Sequence, residues 1–305
     1  MDAPPPPPPS PLPPERVYRG ISNPETGVLD FALSHGWKSF TGAWGLLVVA
    51  GLAVFASGLP PQFAGQFVGP WIRAANPPPA AIVVVVGLFV LLGSVWSILV
   101  QWPVAAGAMV AAAEAARGRT AAFGALGAGF RRLGPTLLST LLVWLITVLG
   151  TLPFAGLALG GVFVTVLGAR RSEDALFAIG LVVVVIAGIA AILVSIWLTA
   201  RLVLAPARAA DPALPKVGGL EAVRVSWNAT RGHALSVLGV LILGGLVSLA
   251  GFLCCCVGLP LFGFPLFYAW LGALYVALVD PASAVTVDAS AADPWLGDRP
   301  PLAPR

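Results

Sequence analysis

The residues of this sequence that could do chemistry are few, and they stand where apolar runs end. His35 and His233 are the only histidines, and neither has Cys or acidic neighbours at the spacing of a metal site. Cys254, Cys255 and Cys256 are consecutive. Neighbours so close make a poor disulfide framework, no CxxC pair is present, and the three read as small apolar fillers near a helix end. Glu114, Arg201 and Asp280 flank long apolar stretches. One reading makes them anchors that snorkel to the headgroup level; another makes Glu114 and Arg201 a pair lining a vestibule. No P-loop or dinucleotide glycine fingerprint opens a helix, and nothing supports a Ser-His-Asp arrangement. The expectation is a chain with no catalytic, cofactor-binding or metal-ligating residue, and so not an enzyme.

The elements that carry these residues are hydrophobic helices. The chain is 58% hydrophobic and 10% charged, with a mean hydropathy of +0.92; soluble domains carry about 25% charged residues. So few charges cannot cover a water-facing surface, which makes lipid the expected solvent. Six apolar runs are long enough to cross it, at about 43–59, 80–113, 135–152, 175–200, 234–257 and 261–279. From Ile82 to Val100 the second run holds 14 Ile, Val, Leu or Phe residues, worth about 6 kcal/mol of insertion free energy at roughly 0.4 each. Pro103 predicts a kink in its continuation. Gly258-Leu259-Pro260 predicts a tight turn between the last two runs. The Pro-rich ends, 1–26 and 281–305, read as disordered tails around a single membrane domain, 27–280.

Residues 134–168 are too long for one simple span, and Pro153 could divide them into two, giving seven. Charge placement favours six. With six spans and the N-terminus inside, 14 of the 17 basic residues lie on the cytoplasmic side, leaving Arg73, Arg170 and Arg171 outside. Seven spans would give 9 against 8. The positive-inside bias therefore predicts both termini in the cytoplasm of a bacterial cell, with 153–168 as a kinked extension or a partly re-entrant segment.

Three segments that precede odd-numbered runs look alike: ALSHGWKSFTG ending at Gly42, ALGAGFRRLGP ending at Pro135, and AVRVSWNATRG ending at Gly232. Each places Ala five residues before an aromatic, Trp37, Phe130 or Trp227, and a small residue directly before it, Gly36, Gly129 or Ser226. The aromatics are 93 and 97 residues apart. The pattern predicts an all-α membrane protein of three repeated units, each an interfacial amphipathic helix followed by a transmembrane hairpin. Trp37, Phe130 and Trp227 would be the interfacial anchors. Arg117, Arg119, Arg131, Arg132, Arg224 and Arg231 would orient the chain or contact anionic lipid headgroups, each contributing about 1 kcal/mol near the surface. Gly156 and Gly160 form a GxxxG, a pattern so common in apolar helices that it is weak evidence for a dimer; it allows a homo-oligomer without indicating one.

The segments GWKSF (36–40) and EAVRVSWNATRG (221–232), each leading into a span, resemble a group of poorly characterised bacterial polytopic membrane proteins. That group is similar to the membrane domain fused to some glycerophosphoryl diester phosphodiesterases. The resemblance covers roughly residues 27–280 and implies a polytopic helical fold. It implies no phosphodiesterase activity, which belongs to a separate soluble barrel that this chain has no room for. The leading expectation is a non-enzymatic membrane protein that organises lipid or accessory partners, with membrane lipid and unknown proteins as its partners and no nucleic acid. A transporter or channel for a small or lipidic solute is the alternative, and a lipid-modifying enzyme comes third.

Overall fold

The computed structural model describes residues 27–75, 78–119, 123–171, 173–253 and 257–280. The two Pro-rich tails and Cys254–Cys256 lie outside the described residues. Six helical segments are long and apolar enough to cross a membrane: Trp44–Gln62, Ala81–Ala116, Leu133–Arg171, Asp174–Ala210, Ala234–Leu253 and Leu259–Val279. All the regular structure of the described residues is helical.

The described residues open with α1 (Gly27–Gly42), followed by α2 (Trp44–Ala75) and α3 (Pro79–Trp96). Before Pro103 the second segment passes through a π turn, Ser97–Gln101, and then continues as α4 (Trp102–Ala116). The turn answers the proline: Pro103 has no N–H to give and its ring would crowd the preceding turn, so the helix widens there. Gly118, at a φ of 69°, follows the end of α4 in the left-handed conformation usual after a helix C-terminus. A 3-10 turn, Phe123–Gly127, and the single-turn α5 (Ala128–Arg131) lead into α6 (Leu133–Arg171).

α6 runs 39 residues without a break, through Pro153. Residues 153–168 are therefore neither a separate span nor re-entrant: they extend one helix about 58 Å long, at 1.5 Å per residue. It lies along α7 (Asp174–Leu202). A Cβ on Gly161 would lie 2.9 Å from Val184, and one on Gly180 would meet Thr165, so glycine lets the two backbones touch. Gly156 and Gly160, the GxxxG of the sequence, face open space instead.

α8 (Ala205–Ala210) continues the line of α7. α9 (Gly219–Ala229), α10 (Ala234–Leu253), a π turn at Leu259–Gly263 and α11 (Phe264–Val279) complete the fold. The sixth segment thus begins at Leu259, inside the turn expected from Gly258-Leu259-Pro260.

Packing is concentrated at one end of the helices, the base. There α1, the last turns of α4 and α7, α8, and the first turns of α2 and α10 enclose α11, while α6 packs on α7, α8 and α9. Val28, Met109, Leu204, Val240, Leu274 and Tyr275 lie in this core. The most apolar window of the sixth segment is 67% buried, whereas those of the second and third contain no buried residue. Away from the base, the α2–α3 and α6–α7 hairpins extend with apolar side chains exposed all round. Val83, Leu91, Leu159, Phe163, Ile186 and Leu193 are all exposed. A helix apolar on every side is at home in lipid.

All three look-alike segments are short helices at the base, and the small residue before each aromatic is where the helix docks. A Cβ at Gly36 of α1 would come 2.5 Å from Trp270 of α11. A Cβ at Gly129 of α5 would meet the carbonyl of Pro103 in α4. Ser226 of α9 is buried and donates a hydrogen bond of 2.8 Å to the carbonyl of Arg201 in α7. Each short helix therefore sits on the second helix of the hairpin before its own, and α1 closes the circle on the last.

Candidate functional site

The charged residues of the base converge on Arg117. Glu114 and Arg117 are three apart at the C-terminus of α4, on one face, and a cation there also complements the helix dipole. Arg117 Nη1 donates to Glu114 Oε1 at 2.8 Å, Nε to Asp280 Oδ2 at 3.0 Å, and Nη2 to Asp211 Oδ2 at 2.7 Å. Asp211 follows the last residue of α8, and Asp280 follows the last residue of α11. Asp211 is satisfied on every side. Its Oδ2 also accepts from the Tyr275 hydroxyl at 2.9 Å, and its Oδ1 from the backbone N–H of Ala213 at 2.9 Å. Arg132 Nη1 donates to the Asp211 carbonyl at 2.6 Å, and Arg208 Nη1 to the Pro215 carbonyl at 3.0 Å.

Burial works against the Arg117 charge. The Asp211 hydrogen bond and the charges of Asp211, Asp280 and Glu114 outweigh it and hold the guanidinium above the ordinary arginine range. A buried cation is tolerable only when it is paired and hydrogen-bonded in this way. The network ties the end of α4 to the ends of α8 and α11, and so fixes the base.

The expected lipid-contact residues divide on this geometry. The Arg117 side chain is 1% exposed and each of its three nitrogens donates to a carboxylate; the sequence could not show that three carboxylates surround it. Arg132 is half-buried on loop carbonyls. Arg119 is exposed and pairs with Glu114 at 3.4 Å. Arg131, Arg224 and Arg231 are exposed. Of the aromatic anchors, Trp37 is 49% and Phe130 45% exposed, while Trp227 is half-buried against Trp197.

Arg201 makes no pair with Glu114. Its guanidinium packs against two indoles, 5.6 Å from the Trp197 centroid and 5.2 Å from that of Trp227. The rings stand 5.4 Å apart and nearly perpendicular, at 88°. Trp197 and Arg201 are one turn apart on α7, and α9 brings in Trp227. The Ser226 hydroxyl holds α9 there by donating to the Arg201 carbonyl at 2.8 Å, and the Thr230 hydroxyl, which donates to the Ser226 carbonyl at 2.9 Å, lies beside it; carbonyls in a last helical turn lack helical partners. Nε and Nη1 of Arg201 are buried and make no hydrogen bond among the described residues.

No family model, curated protein or solved structure matches the chain. The resemblance noted from GWKSF and EAVRVSWNATRG rests on those residues alone.

A cavity of about 670 Å³ opens between the α2–α3 hairpin and α6. Phe89, Gly93 and Ser94 of α3, Trp102 of α4 and Trp144 of α6 line it, and Ser97 brings the π turn to its wall. None of its lining residues is ionisable. Nearby, the Trp96 indole donates to the Ser57 carbonyl at 2.7 Å and ties α3 to α2. Among the described residues, no three His, Cys, Asp or Glu are grouped to hold a metal ion.

Asp211 and Trp197 were not legible as site residues. The only signal for Asp211 is that it is the one acid among residues 201–220, a stretch with three basic residues. Trp197 lies inside an apolar run, where aromatics are ordinary filling.

Proposed function

We propose that this chain is a non-enzymatic, lipid-organising protein of the bacterial cytoplasmic membrane. In this reading it crosses the bilayer six times, its base and both termini lie on the cytoplasmic side, and its three short helices lie along the inner surface as parts of three repeated units. The observation that carries the proposal is the cavity between the α2–α3 hairpin and α6. It is apolar, free of ionisable groups and walled by helices whose surfaces suit lipid, so an acyl chain is the ligand that its chemistry favours. Its 670 Å³ lies within the ordinary range of ligand pockets, roughly 300–1,000 Å³. The likeness to the membrane domain of some glycerophosphoryl diester phosphodiesterases fits this reading.

Photo-crosslinking tests it. The full chain in vesicles is irradiated with a phospholipid carrying a diazirine on its acyl chain, and the labelled peptides are mapped by mass spectrometry. Labelling should concentrate on Phe89, Ser97 and Trp144, and Gly93→Phe should abolish it by filling the space. Labelling spread evenly over exposed positions such as Ile186 and Leu193 would sink the proposal.

One observation favours the second reading, a transporter or channel. The π turn at Ser97–Gln101 borders the cavity, and such turns are frequent at functional sites. Solute-dependent flux through proteoliposomes, lost in Gly93→Phe, would decide for it.

A further inference from the structure

Among the described residues, the guanidiniums of the base fall into two groups. Those of Arg117, Arg132 and Arg208 spend their buried donors on carboxylates or carbonyls. Arg201 does not: its Nε and Nη1 are buried without a hydrogen-bond partner, and only the two indole faces attend its charge. Indole faces stabilise a cation but accept no conventional hydrogen bond from the guanidinium edge. The surroundings add to this. Arg224 is exposed on α9 three residues before Trp227, on the same helical face, and Arg231 is exposed in the turn that follows α9. Neither makes an ion pair among the described residues. His233 Nδ1, one turn beyond Thr230, is likewise buried without a partner. Glu114, Asp211 and Asp280 are engaged with Arg117 and Arg119, while Glu221 stands in the first turn of α9, three residues before Arg224. The Arg201 guanidinium is therefore a cation set against two indoles, with no carboxylate paired to it among the described residues.

From this we infer that Arg201, packed against Trp197 and Trp227, is a phosphate-binding site, with Arg224 and Arg231 as its outer contacts. The guanidinium fork matches two oxygens of a phosphate group, and its planar donors bind phosphate more specifically than an ammonium can. The indoles hold the fork in place before ligand arrives, and a small rotation of either ring exposes the buried donors. The phosphate can belong to a phospholipid headgroup or to free inorganic phosphate. The inference rests on the lipid-organising reading for the lipid source only.

The test uses the full chain in nanodiscs of phosphatidylcholine, alone or mixed with phosphatidylglycerol, with retained lipid counted by native mass spectrometry. A parallel arm measures inorganic phosphate binding to the same preparations by calorimetry. Wild type should retain phosphatidylglycerol over phosphatidylcholine, and Arg201→Gln should weaken that retention about tenfold, the loss of one charge-assisted pair. Arg201→Lys keeps the charge and the indole contacts but loses the fork, and should fall between them. It also serves if Arg201→Gln fails to fold. Arg170→Gln, at the far end of α6, should match wild type. Lipid retention that depends on Arg201 assigns the site to a headgroup; heat from phosphate that depends on Arg201 assigns it to the free ion. Wild-type levels of both in Arg201→Gln and Arg201→Lys would overturn the inference. That result would leave the cavity crosslinking untouched, because Arg201 does not line the cavity.

Discussion

Arg117 Nη2 and Asp211 Oδ2 lie 2.7 Å apart with both side chains buried, although 94 residues of chain separate them. Buried pairs of this kind need not add stability over an apolar replacement. Breaking one is nevertheless severe, because a charge is left buried and uncompensated. Asp211→Asn should therefore cost about 3–5 kcal/mol, read from the unfolding midpoint in detergent. Arg117→Met combined with Asp211→Leu should be far less destabilised than the sum of the two single variants. Additive losses in that cycle would mean that the pair is not coupled.

The pH response follows from the same residues. The Arg117 guanidinium is held above its ordinary range in the folded chain. A group raised in this way contributes stability that is complete below the unfolded value and is lost only as pH climbs through the folded one. Both values lie far to the alkaline side of neutrality, so the Arg117 contribution should be flat from pH 6 to 9. The wild-type and Arg117→Met unfolding midpoints should then run parallel across that window. Convergence toward pH 9 would show that Arg117 discharges there.

The docking glycines give a packing test. A side chain at Gly36 must displace Trp270, and one at Gly129 must displace the backbone at Pro103. Gly36→Leu and Gly129→Leu should each lower stability by about 1–3 kcal/mol or more, since backbone cannot yield as a side-chain tip can. Gly156→Leu, with open space around it, should cost much less. Equal losses at all three positions would remove the distinction between docked and free glycines.

The proposed orientation predicts reporter behaviour. Fusions after Arg119 and Lys216 should report cytoplasm, and fusions after Gly69 and Arg171 the outside. An external signal at Lys216 would reverse the fourth segment and refute the six-span arrangement.

Much of this architecture is legible in the sequence, because its signal is local. Runs such as Ile82–Val100 and Ala175–Ala200 announce helices by length and apolarity alone. The continuity of α6 past Pro153 was less legible. A proline predicts a break, but α7 packs along the helix on the glycine seam at Gly161 and supports it there. The sites were legible only in part. Basic residues near apolar ends read as facing lipid, yet whether a guanidinium faces lipid or a carboxylate depends on residues far off in sequence. Arg117 meets Asp211 and Asp280, and Arg201 meets Trp227, only after four helix ends converge. The small residues Gly36, Gly129 and Ser226 were visible as a repeated spacing; their reason, contact with α11, α4 and α7 respectively, became visible only in the fold.

That circular docking sets an order on assembly. α5 and α9 can settle as soon as they are made, because α4 and α7 precede them in the chain. α1 cannot, because its seat on Trp270 belongs to the last helix. Among the described residues the first helix made must wait for the last, so a chain that stalls before α11 keeps Val28 and Phe31, buried in the folded base, without their cover. The base can close only once α11 is made and offers α1 its seat.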